Sequence, residues 1–226
     1  MTGKQLLLIG APALLLAGAT VAVASARDTA ADAKAASAAA TKAAKALGKR
    51  RATDAVALAE QAVALSPDDA GHRALLGQAY LQAGRFQSAR EVLAESLKLD
   101  PRQGRVALNL ALAQIATGDW GAARRTLDGA ADKIAIGDLG LAVALAGDPA
   151  GAVSILTHAA RQQGATAKTR QNLALALALS GQWQAAKMVA SADTPAGEVD
   201  ARMMEWAELA QPRTAATTSS GISGRW

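Results

Sequence analysis

Four glycines stand at nearly even intervals along the middle of the chain: Gly84, Gly118, Gly147 and Gly181 are separated by 34, 29 and 34 residues. Pro67 and Pro101 are also 34 apart, and each closes a stretch of helical spacing. No local motif constrains the fold as strongly as this. A period of that length marks one supersecondary unit repeated, too small to bury its apolar face alone and therefore stacked on its neighbours.

The unit can be read from its best-formed copy, Ala70 to Gln103. In HRALLGQAYLQAG, Leu75, Leu76, Ala79 and Tyr80 recur at helical spacing, and Gly84 follows as a stop. In FQSAREVLAESLKLDP, Phe86, Ala89, Val92, Leu93 and Leu97 form a second apolar face, which Pro101 prevents from continuing. Each copy is thus two helices joined by a tight turn. The glycines Gly84, Gly118, Gly147 and Gly181 are expected at positive φ just past a helix end. Phe86, Trp120 and Trp183, two residues on, are expected to wedge between the paired helices. Ala89, Ala123, Ala152 and Ala186, five residues after the glycine, keep the two axes close. The shortened copy is expected to open with Asp138 as a cap and to begin its second helix at Asp148-Pro149. Thr194-Pro195 then opens a last helix to Ala210 that covers the end of the stack.

Gly77, Tyr80, Gly84, Phe86, Ala89, Leu93 and Pro101 resemble in register the tetratricopeptide repeat; the copy from Gly104 matches through Leu110, Gly118, Trp120, Ala123, Leu127 and Ala130. The resemblance implies an all-α, right-handed α-solenoid of about five helix-turn-helix repeats with a C-terminal capping helix. It also implies a binding scaffold whose first helices line a concave groove for a protein or peptide. Within that groove the candidate contacts are Arg105, Asn109 and Leu112, with Lys168, Asn172 and Leu175 at the same positions 63 residues on. Arg105 and Asn109 are four apart, as are Lys168 and Asn172, so each pair shares a helix face. In the family an asparagine here grips the partner's backbone, its amide donating and accepting at once. The alternative is that both satisfy local backbone near a helix start.

The ends have a different character. Between Lys4 and Arg27 there is no charge, and Leu6 to Ala26 is apolar. Two readings stand: a secretory signal peptide over 1–26, cut after Ala24-Ser25-Ala26 so that the mature chain begins at Arg27, or an uncleaved membrane helix giving membrane association through residues 5–26. Both send the remainder out of the cytoplasm, periplasmic or anchored facing the periplasm. The solenoid is expected over 27–210 and a disordered Thr/Ser/Gly tail over 211–226. The layout also resembles the repeat proteins of tight-adherence (Flp-type) pilus assembly, which carry an export signal and are typically lipidated. Leu15 to Ala19, LLAGA, has the shape of a lipoprotein signal with Ala19 where the cysteine would stand.

The chain has no cysteine and two histidines, His72 and His158, in different copies. No hydrolase, metalloprotease or phosphate-loop motif occurs, so no enzyme, metal, cofactor or small-molecule substrate is expected. A net charge of +5 with 3% aromatics is too sparse for a nucleic-acid stripe. Lys42 to Arg51 holds five basic residues, read either as a solvated turn or as an anionic-surface binder. The leading expectation is an exported adaptor for assembly of a bacterial envelope machine, in particular Flp-type pilus assembly. The alternative is a membrane-tethered repeat protein of another envelope pathway, cytochrome assembly or cell-wall synthesis.

Overall fold

The computed structural model describes residues 17–210, and the expectations for residues 1–16 and 211–226 lie outside the described residues. Among the described residues there are eleven α-helices and no strand. In chain order they are α1 (Ala17–Gly48), α2 (Ala52–Leu65), α3 (Ala70–Gln82), α4 (Phe86–Leu99), α5 (Gly104–Ala116), α6 (Trp120–Asp128), α7 (Ile136–Leu145), α8 (Pro149–Ala160), α9 (Ala167–Leu179), α10 (Trp183–Ala190) and α11 (Ala196–Ala210). They form five hairpins and a closing helix. Helix α1 runs through residue 27 without a break and supplies the first helix of the first hairpin.

The turn within each hairpin follows one hydrogen-bond scheme. After α3, Gly84 sits at φ 72°; its N–H donates to Leu81 O at 3.1 Å and the N–H of Arg85 donates to Tyr80 O at 2.8 Å. These two bonds satisfy carbonyls that a helix end would otherwise leave bare. Gly118, Gly147 and Gly181, at φ 80°, 88° and 80°, repeat the scheme. The first hairpin does so as well, with a difference the sequence pattern hides. The residue 34 before Gly84 is Arg50, at φ 56°, and its N–H donates to Leu47 O at 2.9 Å while that of Arg51 donates to Ala46 O at 3.0 Å. An arginine therefore holds the left-handed position that glycine fills elsewhere.

The core follows the alternation of small and large residues. Ala89, Ala123, Ala152 and Ala186 are all fully buried, as expected for crossing points. Gly77 goes further: a β-carbon there would stand 2.4 Å from Cγ of Leu93. Gly140 repeats this against Leu156 at 2.4 Å, so each glycine makes room for a fully buried leucine of the paired helix. Core clusters bridge successive units: Ala89 and Leu93 of α4 pack with Val106, Leu110 and Ala113 of α5.

The aromatic residues correct the sequence reading. Trp120 is 57% exposed and Trp183 36%, so neither wedges between paired helices, and Phe86 is only half-buried. All three are the first residue of a second helix, at the corner of the hairpin, and the buried crossing falls three residues on at the alanine. Asp138 is a second correction. The residue before α7 is Ala135, which makes no side-chain cap; Asp138 lies in the first turn and pairs with Lys168 instead. Asp148 does cap α8, accepting from Gly151 N at 2.8 Å, with Pro149 next in the helix. Asp69 likewise caps α3 through His72 N at 2.8 Å.

Polar ties lock neighbouring units. The Tyr80 hydroxyl donates to Glu60 at 2.7 Å, and the Arg85 guanidinium lies 4.3 Å from the Tyr80 ring centre. Burial, reinforced by the bond to Glu60, pushes the Tyr80 hydroxyl above its usual range. Arg170 donates to both carboxylate oxygens of Asp193, at 2.6 and 2.5 Å, and to Ala165 O at 3.1 Å. That bidentate bond holds the Asp193 carboxyl below the usual carboxylate range. Arg73 occupies the same place in the second unit, donating to Pro67 O at 2.8 Å and pairing with Glu95.

Candidate functional site: the face of the first helices

The two helices of a hairpin are not equivalent in the stack. Each odd-numbered helix touches the next odd one, from α1 to α3 through to α9 to α11. The even-numbered helices touch only odd ones among the described residues. A row whose members meet lies on the inside of a bend, and a row whose members part lies on the outside. The array therefore curves with the odd helices on its concave side.

Arg105, Asn109 and Leu112 are the second, sixth and ninth residues of α5; Lys168, Asn172 and Leu175 have the same places in α9. Between them runs α7. A step of 29 residues from Asn109 and Leu112 reaches Asp138 and Leu141. Because α5 meets α7 and α7 meets α9, these positions form rows across three neighbouring helices.

The two ends of those rows differ. Asn172 is 8% exposed, and its side-chain Nδ2 donates to Gly137 O at 2.9 Å. Lys168 Nζ lies 2.6 Å from Asp138 Oδ1. Both residues of α9 thus hold α7, and the backbone Asn172 reaches is 35 residues away, which departs from the local satisfaction weighed from the sequence. In α5 the counterparts are open. Arg105 is exposed with no ion pair, and Asn109 is half-buried with no side-chain hydrogen bond, among the described residues.

Below this polar row is an apolar one that the sequence reading caught in part. Leu112, Leu141 and Leu175 are half-buried, as is Leu145 one turn beyond Leu141. None of the four joins the side chains packed on the core clusters. Leu141 and Leu145 were missed because the shortened unit breaks the 34-residue step, although the 29-residue interval between Gly118 and Gly147 carries the register across. Of the basic residues between Lys42 and Arg51, Arg50 forms the turn described above and Arg51 pairs with Asp54 at 2.5 Å. Among the described residues no helix is long and apolar enough to cross a membrane, and no group of metal-ligating side chains occurs.

Stacked hairpins curved around a row of first helices define a helical-repeat scaffold. The tetratricopeptide-repeat family model matches residues 46–101 and again 81–135, and the chain is a tetratricopeptide-repeat protein. No curated protein matches the sequence. Among solved structures, PilF of Pseudomonas aeruginosa is similar at a TM-score of 0.59 and 16% identity, over 79% of this chain and 86% of that one. MamA from Desulfovibrio magneticus RS-1 is similar at a TM-score of 0.56 and 15% identity, over 77% and 96%. YrrB, described as a tetratricopeptide-repeat protein with an unusual peptide-binding site, is similar at 0.55 and 15%, over 74% and 90%. At these identities the likeness is one of fold.

Proposed function

We propose that this chain is a non-enzymatic scaffold of the bacterial envelope that holds a protein partner against the first helices of its third to fifth units. The observation that carries this reading is the pair Arg105 and Asn109, accessible on the concave row and without partners inside the chain. Side chains with hydrogen-bonding capacity and no internal use, set on a curved face, are what a binding surface requires. The family and the fold shared with PilF and YrrB support a role in protein interaction. The apolar segment Leu6 to Ala26 supports export, and its union with a small repeat array supports assembly of a Flp-type pilus.

A photo-crosslinking amino acid placed at Asn109 of the full chain, activated in intact cells, tests this. Crosslinks to envelope proteins, absent when the group is placed at exposed Arg124, are expected. Partners drawn from the cytoplasm alone would overturn the envelope assignment. Intact mass of the exported protein is expected to show a chain beginning at Arg27; a mass retaining Met1 or Thr2 would replace cleavage by anchoring.

A further inference from the structure

Resting on the reading of the concave face as a binding surface, we infer that its occupant is an amphipathic helix of another protein. Its leucine-like face would lie across α5, α7 and α9, with an acidic residue at the edge where those helices begin. The alternative suggested by the basic residues, a polar peptide held by its carboxylate, fails on the geometry of α9. Lys168 is already paired with Asp138, and the Nδ2 of Asn172 is already given to Gly137 O. A carboxylate clamp spanning two units therefore has only its α5 half available.

What the face offers instead is apolar. Leu112, Leu141, Leu145 and Leu175 keep part of their surface in water while the core closes without them. Leu112, Leu141 and Leu175 occupy one register position on three adjoining helices, so the row crosses the helices rather than following one of them. Helix axes about 8–10 Å apart give such a row a length of about 20 Å. A helix rising 1.5 Å per residue covers it with about 13 residues, presenting a side chain every three or four. Charge fixes the orientation. Arg105 is the second residue of α5, exposed and unpaired among the described residues, and it stands at the end of the row where the first helices start. An acidic side chain on the partner gains an ion pair there and no other compensation is needed.

The test is a selection of random 16-residue peptides against the full chain, followed by affinity measurements on the winners. The expected winners carry apolar residues at i, i+3 or i+4, and i+7 with an acidic residue beside them. They should lose about tenfold or more in affinity on the triple variant Leu112→Ser, Leu141→Ser, Leu175→Ser. Those leucines lie outside the core clusters, and circular dichroism of the variant checks that the helices remain. Arg105→Glu should weaken the same peptides, and replacing the peptide's acid by lysine should restore them. Polar peptides that bind the triple variant unchanged but lose affinity on Arg105→Glu would overturn the amphipathic helix and leave the binding surface standing. Winners indifferent to both variants, or no winners, would overturn both. Self-association of the full chain in sedimentation, abolished by the triple variant, would make a second copy the occupant and overturn the inference.

Discussion

Arg50 performs a glycine's task with an arginine's backbone. A left-handed conformation costs an L-residue about 1–2 kcal/mol, a cost glycine avoids. The two hydrogen bonds of the turn keep Arg50 there, as they keep the glycines of the other four hairpins. Arg50→Gly is therefore expected to stabilise the chain by about 0.5–1 kcal/mol, measured as a higher urea midpoint at unchanged slope. Glycine's extra freedom in the unfolded chain offsets the remainder. Tyr80 belongs to the same scale. Tyr80→Phe removes its bond to Glu60 and should cost about 1 kcal/mol at neutral pH. The pH dependence has a definite sign. The folded hydroxyl keeps its proton above the ordinary value of 10.0, where the unfolded chain releases it. The contribution is thus intact below pH 10 and falls away as pH rises through the raised value. Denaturation midpoints from pH 9 upward should decline more steeply for the parent chain than for Tyr80→Phe.

At the scale of the element, paired helices are set by small residues, and much of this was legible. The recurring alanines mark buried crossings, and the recurring glycines mark the turns. The aromatics misled because spacing identifies a position in the unit but not how many helices flank it. Trp120 and Trp183 hold a repeated place that happens to be a corner. The two asparagines misled for a related reason. Asn109 and Asn172 are equivalent by register, yet only Asn172 faces a backbone carbonyl it can reach, because only it follows the shortened unit that brings Gly137 into range. Sequence shows the equivalence; the five-residue deficit that breaks it acts through packing. The pair gives a sharp contrast. Asn172→Ala should destabilise by about 1 kcal/mol or more, leaving Gly137 O bare in a part-buried place, while Asn109→Ala should be nearly neutral. Chemical denaturation of the two variants side by side checks this, and equal losses would mean that Asn109 also has a structural partner.

On the scale of the whole molecule, stability in a stack of units is a sum of local terms and neighbour interfaces, so an end can loosen alone. Arg170 and Asp193 tie the fifth unit together just before the closing helix. Arg170 holds the carboxyl of Asp193 below its ordinary range, so this contribution is full above that range and is lost as pH falls toward the depressed value. Acid should therefore free the C-terminal end first. Trp206, packed with Met203 and Val189 on the last core cluster, reports it. Its fluorescence is expected to change below about pH 4 before helicity is lost. In Asp193→Asn that early change should disappear, since a neutral amide does not titrate. A single cooperative transition in both proteins would mean that the fifth unit does not open independently.

The length of α1 has a mechanical meaning. Its register partner α3 begins at Ala70, which corresponds to residue 36, yet α1 starts at Ala17. The additional 19 residues amount to about 28 Å of rod. Alternating hairpin helices point the odd ones the same way, so this rod leaves the stack at the edge where Arg105 and Lys168 stand. It has no hinge between Ala17 and the first hairpin. A torque applied to the rod is transmitted to the curved face undiminished, and whatever fixes the rod's far end also sets the direction in which that face looks and its reach.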